Sequence, residues 1–299
     1  MFKRIAIFFA VSLLISITVS ILFSILGIGK YITGNTLNYG ALMAFCLVWG
    51  LTGSFISLLL SKFIAKWTMG VQIISDSDPQ YQNIVRTVHR LSTAAGLTKM
   101  PEVGIYHSDE VNAFATGPSK SNSLVALSTG LLNRMNNEET EGVIAHEVAH
   151  IANGDMVTMT LVQGIVNAFV MFFSRVIAFF ISQALRKDSD DEQPVSPWVN
   201  TIIVFVLDIL FGFLAMPIIA WFSRYREFRA DHDAARIGGK YKMIAALKSL
   251  QLAYPQMAES QESNENFRSM QISSKAGFAK LFSSHPPLEE RIKALEKLS

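Results

Sequence analysis

The chain has 299 residues and a net charge of +2; half of its residues are hydrophobic and only 17% are charged. Soluble domains carry about a quarter charged residues, so this balance, with a mean hydropathy of +0.32, argues against a soluble protein and for a membrane one. The small charge and the lack of a basic cluster interleaved with aromatics argue against nucleic acid as a partner. Cys46 is the only cysteine, which excludes a disulfide framework and a cysteine metal site and suits a reducing compartment.

Two charge-free apolar runs open the chain, residues 5–28 and 39–60. Each exceeds the roughly 20 residues that cross the hydrocarbon core as a helix. The first is too long for a signal peptide, and no small-x-small cleavage site precedes the second. Polar sequence follows. Residues 103–106 and 124–127 read as short strands between turn residues. A helix is expected over about 137–152: Asn136 with Glu139 three residues later forms a capping box, and Asn153-Gly154 supplies the stop.

On that helix stand His146-Glu147-Val148-Ala149-His150. Histidines at i and i+4 stack on one face, where both imidazoles can reach one zinc ion. Glu147 is rotated about 100° from His146, which keeps it off the metal but beside an open position, where it can act as general base. A catalytic zinc takes three protein ligands, and no third histidine follows at the metzincin spacing.

Two further apolar runs, 156–182 and 199–222, contain Arg175 and Asp208. In an antiparallel hairpin the two lie about 27 and 21 Å from the cytoplasmic helix ends, so one long side chain bridges them as an ion pair. The alternative is that Arg175 snorkels to the far interface. Lys3, Arg4, Lys62, Lys66, Arg224, Arg226 and Arg229 fall on one side of the four-span layout. The other side holds Lys30 and the acidic stretch 186–197. Positive-inside then places both termini and the polar segments in the cytoplasm. A stretch at 257–266, rich in Glu, Ser, Gln and Asn, reads as a mobile surface loop.

Directly after the fourth run comes Ser223-Arg224-Tyr225-Arg226-Glu227-Phe228-Arg229-Ala230-Asp231. Glu227 is the best candidate for the third ligand. Asp231, at i+4 on the same face, is placed to accept the outer N–H of a ligating histidine. Spacing alone supports equally an ordinary solvated helix, salt-bridged through Arg224 and Arg229. His232 also competes as a ligand but lies about 100° around the helix from Asp231. Arg224, three residues before Glu227, is the first guess for a donor to the oxyanion. His150 precedes the third run by six residues and Glu227 follows the fourth by five, so the site is expected near the cytoplasmic membrane surface.

Together these residues resemble the HtpX heat-shock membrane proteases, in the wider clan that includes the CAAX prenyl endopeptidases. The resemblance covers essentially the whole chain: two N-terminal spans, His146 to Asp155, an apolar hairpin, Arg226 to Asp231, and Ser284-His285-Pro286-Pro287. It implies a zinc-dependent endopeptidase of the bacterial inner membrane that degrades misfolded or damaged membrane proteins. It also implies one zinc ion per chain held by His146, His150 and Glu227, with Glu147 as catalytic acid/base and Asp231 behind the ligands. His232-Asp233 departs from the small residues usual there. The family also draws attention to Asn112-Ala113-Phe114-Ala115-Thr116-Gly117, an alternating stretch consistent with an edge strand able to pair with a substrate backbone; a strand inside the sheet is the other reading. The resemblance places His285 near the site, with Arg291 tying its segment down, and packing or capping is an equal role for it. His89 and His107 are assigned none.

The fold expected is mainly α with a small β-sheet, a polytopic membrane protein with four apolar helices and a gluzincin-like zinc protease domain. Residues 1–60 form the first transmembrane pair, 61–155 the first part of the protease domain, 156–222 the second apolar hairpin and 223–299 the second part. Its partners are unfolded membrane proteins and the lipid bilayer. A non-proteolytic zinc-stabilised adaptor, or a transporter using Arg175 and Asp208, is the competing reading.

Overall fold

The computed structural model describes residues 2–26, 32–33, 36–187, 196–260 and 285–298. Within them the chain is mainly helical with a small sheet. Most of the acidic stretch and residues 261–266 of the expected mobile loop lie outside the described residues; 257–260 are helical. The chain divides into two compact units, residues 1–57 with 160–219, and 58–159 with 220–299.

The first unit is built from helices that follow the apolar runs. Helix α1 spans Phe2–Leu26, and the short strands β1 (Ile32–Thr33) and β2 (Thr36–Leu37) pair before α2, Tyr39–Met69. Helices α6 (Asp155–Lys187) and α7 (Pro197–Ala234) form the second apolar pair. Among the described residues three helices, α2, α6 and the long segment that begins with α7, are long and apolar enough to cross a membrane. The described apolar part of α1, Phe9–Ile25, is shorter, although α1 itself has 25 residues. Backbones approach closely where α2 meets α6: a Cβ on Gly50 would lie 2.6 Å from the Gly164 carbonyl oxygen, the small-residue contact typical of helices in lipid. Leu42, Cys46 and Ala168 are fully buried there. Arg175 Nη1 stands 3.9 Å from Asp208 Oδ1 and donates to the Met171 carbonyl at 3.1 Å. The two membrane charges thus meet as expected.

The second unit holds a four-stranded sheet of order β3-β4-β6-β5, formed by Gln72–Ile74, Glu102–Tyr106, Asn122–Ser128 and Ala113–Ser119 respectively. Strands β4 and β6 are parallel and the other pairings antiparallel, which leaves β5 at an edge. Side chains alternate between faces. Val103, Ile105, Val125 and Leu127 enter the main core, whereas Tyr106, Leu124 and Ala126 pack on the opposite face. Against the core face lie α3 (Gln82–Ala94), α5 (Asn137–Asn153), α8 (Lys240–Ser260) and α9 (Leu288–Glu296). The short α4 (Thr129–Arg134) connects β6 to α5, and a single π-helical turn, Ala235–Gly239, joins α7 to α8.

Helix α5 has both ends fixed by local chemistry. Asn136 Oδ1 accepts the Glu139 N–H, and Glu139 Oε2 accepts the Asn136 N–H, each at 3.0 Å. Such a cap stabilises a helix by about 1 kcal/mol. At the other end Gly154 adopts φ 71°, ψ 27°, a left-handed conformation open to glycine at little cost. Val143, Ile144, Ala145, Val148 and Ala149 bury the core side of the helix, so His146, Glu147 and His150 are left to the remaining face.

Candidate metal centre

Along α5, one turn brings His146 Nε2 to 3.1 Å from His150 Nε2. Helix α7 continues unbroken through residues 223–234 and delivers Glu227 to the same point. Its Oε1 lies 3.3 Å from His150 Nε2 and its Oε2 3.5 Å from His146 Nε2. A four-coordinate zinc with bonds of about 2.05 Å separates its ligand atoms by about 3.3 Å, and the three observed spacings bracket that value. Two imidazole nitrogens facing each other at 3.1 Å place lone pairs in opposition unless a proton or cation lies between them. Glu227 Oε2 is buried and receives no well-formed hydrogen bond, although nitrogens of His285, Arg291 and His146 stand 3.0–3.5 Å away. The donor set fits a divalent cation: His146, His150 and Glu227 form a group able to bind one.

Each imidazole is turned toward that point by a carboxylate on its outer nitrogen. His150 Nδ1 donates to Asp155 Oδ2 at 2.6 Å, and His146 Nδ1 to Asp231 Oδ1 at 3.0 Å. This fixes both tautomers with Nε2 free to bind. Asp231 is clamped in turn by Arg291 from α9, whose Nε and Nη2 meet its two oxygens at 2.7 and 2.6 Å. Arg226 on α7 donates to the Asp155 carbonyl at 3.3 Å.

The electrostatics follow from burial opposed by these pairings. Burial pushes the His150 ring down, but Asp155 and Glu227 outweigh it and bring its pKa to about 9. His146 is raised against burial in the same way by Asp231 and Glu227. Burial pushes Glu227 up, yet the facing nitrogens of His146, His150 and His285 hold it far below the ordinary carboxylate range. A field that stabilises positive charge at both Nε2 atoms also favours a cation between them. Glu147 behaves differently: burial raises its pKa above the usual value, opposed by His146, His150 and a hydrogen bond from the Ala115 backbone.

The cluster opens into a cavity of about 760 Å³ lined in part by Asn112, Ala113, Glu147, His285 and Arg291. Of the residues expected to contact substrate, Asn112 and Ala113 line it. Ala115 reaches Glu147 through its backbone, and Phe114 turns to the other face of the sheet, where its ring lies 5.6 Å from Tyr106. Alternation along β5 is the reason. Arg224 is not part of the cavity lining, whereas Arg291 and His285 are. His232 is 58% exposed and lies 3.5 Å from Asp233, away from the cluster. Asp155 was not singled out from spacing, because Gly154 reverses the chain and returns it to His150.

Residues 79–299 match the model of peptidase family M48. The chain is 48% identical over 295 residues to Protease HtpX of Shewanella sp. (strain MR-4), covering 98% of this chain and 99% of that one. It is 50% identical over 297 residues to a Protease HtpX homolog of Paracidovorax citrulli (strain AAC00-1), covering 98% of each. Its fold is similar to the crystal structure of S. mikatae Ste24p, with a TM-score of 0.64 at 18% identity; the match takes in 99% of this chain and 65% of that one.

Proposed function

From the premise that the chain belongs to peptidase family M48 and is a membrane metalloprotease, we propose that it is a zinc-dependent endopeptidase whose His146, His150 and Glu227 hold one zinc ion and whose Glu147 is the general base. The observation that carries the reading is the convergence of three ligand atoms at 3.1–3.5 Å, with Glu147 half-buried beside them. When bound, zinc supplies Lewis-acid polarisation of a carbonyl and acidifies water.

The chain's own groups do the rest. Burial makes Glu147 a stronger base than a solvated carboxylate, able to take a proton from the attacking water and return it to the leaving amine. The Ala115 N–H orients that carboxylate. Asp155 and Asp231 hold the two imidazoles in one tautomer, and Arg291 keeps Asp231 ionised and in place. Just before β5 the Asn112 carbonyl accepts the Ser128 N–H of β6; alternation along the strand then turns the backbone groups of Ala113 and Ala115 to the open edge, where an extended peptide can add as a further strand. Recognition through backbone suits broad specificity. Loop charge supports a bacterial inner-membrane protein with both termini and the protease unit in the cytoplasm, acting on misfolded or damaged membrane proteins.

The test uses full-length protein purified in detergent with zinc and an unfolded membrane protein as substrate. Glu147→Gln is expected to retain one zinc per chain and lose cleavage by about 10²–10⁴-fold. Undiminished cleavage by the mutant would overturn the general-base assignment. A wild-type protein that binds zinc but cleaves nothing would favour the adaptor reading.

A further inference from the structure

A second cavity, of about 450 Å³, opens between α3 and the N-terminal half of α5 and shares no lining residue with the one at the metal centre. Its α3 wall is Asn83, Arg86, Thr87 and Arg90, a helix face at i, i+3, i+4 and i+7. The α5 wall is Asn137, Thr140, Glu141 and Ile144, at the same spacing. Facing stripes of this kind ordinarily carry apolar side chains that meet and close the gap. Here most of the positions are hydrogen-bond donors, and they leave a space. Ile84 and Ile144 give it an apolar patch.

Two observations point to an anion there. The first is charge. Glu141 is the one carboxylate in the lining, and its Oε1 is already held by Arg90 at 2.7 Å and by Lys242 at 2.8 Å. Arg86 is left over as a surplus cation. The second is unused donors. Among the described residues, the side chains of Asn83, Arg86, Thr87, Asn137 and Thr140 form no hydrogen bond or ion pair. Thr140 is only 8% exposed, and a buried hydroxyl without a partner is costly; the cavity it lines is where a partner can come from. The first turn of α5 adds partial positive charge. A carboxylate offers two oxygens in one plane, whereas a phosphate offers three or four in a tetrahedron, which suits donors converging from two helices. The volume falls in the range of small-molecule sites, about 300–1,000 Å³, so the organic part of an ester fits beside its phosphate. We propose that this cavity binds a phosphate group, free or as a small phosphate ester, through Arg86 and Thr140. The site stands apart from the peptidase chemistry and does not depend on it. Its ligand bridges α3 to the beginning of α5, six residues before His146.

The experiment titrates full-length, zinc-loaded protein in detergent by calorimetry with inorganic phosphate, glycerol 3-phosphate and, at matched ionic strength, acetate. Saturable binding of either phosphate at one per chain is expected, with acetate at least about tenfold weaker. Hydrogen bonds to a charged group are strong enough that losing one weakens binding about tenfold or more. Arg86→Gln and Thr140→Val are each expected to do so. Arg86→Gln, far from the metal ligands, is expected to keep the wild-type melting point and cleavage rate in the absence of phosphate. Phosphatidic acid in mixed micelles tells the sources apart: displacement of glycerol 3-phosphate assigns the group to a lipid headgroup, and no displacement to a soluble compound. Three results would each overturn the site: no binding of either phosphate, acetate bound as tightly as phosphate, or phosphate binding unchanged in Arg86→Gln. The last is what phosphate held by the zinc ion gives.

Discussion

The His150–Asp155 contact is the shorter of the two histidine–carboxylate contacts, at 2.6 Å, and it depends on a five-residue path closed by Gly154. An outer carboxylate of this kind raises ligand basicity and fixes ring orientation, and its loss typically weakens metal binding 10–100-fold. Asp155→Ala is therefore expected to lower zinc affinity by about that factor, with the helix unchanged by circular dichroism. Competition with a chromophoric chelator measures it; affinity equal to wild type would remove Asp155 from any part in holding the site. The two histidines and Glu147 were legible in sequence because helical spacing alone puts them together. Glu227 was legible as a candidate only, since a glutamate among arginines on an emerging helix reads equally as a solvated face. The clamp by Arg291 was not derivable from spacing, because it reaches across 60 residues to Asp231. Arg224 shares a helix sector with Glu227, yet it is not among the residues that line the cavity, which is bounded by other elements.

Helix α5 owes its position to how closely α8 approaches it. A Cβ on Gly142 would sit 2.4 Å from the Lys242 carbonyl oxygen and 2.9 Å from the Ala246 Cβ, so backbone and not a flexible side chain would have to yield. Gly142→Ala is expected to destabilise the protein by about 1–3 kcal/mol through overpacking, outweighing the gain in helix propensity of about 1 kcal/mol. Thermal melting in detergent reads this directly; an unchanged or higher midpoint would mean that α8 can retreat. The ends of α5 were legible because capping is local chemistry. The ends of the apolar helices were not. Hydrophobicity marks where lipid suits a side chain, whereas a helix continues until its hydrogen bonding is interrupted. Thus α2 runs past the apolar segment to Met69, where Gly70 at φ 66° ends it, and α7 carries Glu227 and Asp231 without a break.

At the scale of the whole molecule, composition alone pointed to a membrane protein, and the long apolar helices follow its four runs. Arg175 and Asp208 set a constraint within the first unit. Either charge alone near the middle of a span costs about 2.5–3.5 kcal/mol, and their 3.9 Å separation offsets part of that. Arg175→Asp and Asp208→Arg are each expected to lower the yield of folded protein in membranes, and the combined exchange to restore most of it. Size-exclusion recovery after extraction measures the effect; a double variant no better than the singles would show that the pair contributes nothing as a pair. The paired charges were foreseeable from helix rise and antiparallel layout. The sheet order was not, because strand neighbours are chosen by the core and not by sequence adjacency.

His146 and Arg291 stand 145 residues apart in sequence yet within 3.4 Å in space, with Glu227 supplied from between them. Ribosomes elongate at about 5–20 residues per second, so a newborn chain carries its two histidines for on the order of 10 s before the acid arrives from beyond the second apolar pair. The clamping arginine follows later still. The proposed centre is therefore incomplete in any half-made copy: translation must pass the second apolar pair before Glu227 can join the two histidines.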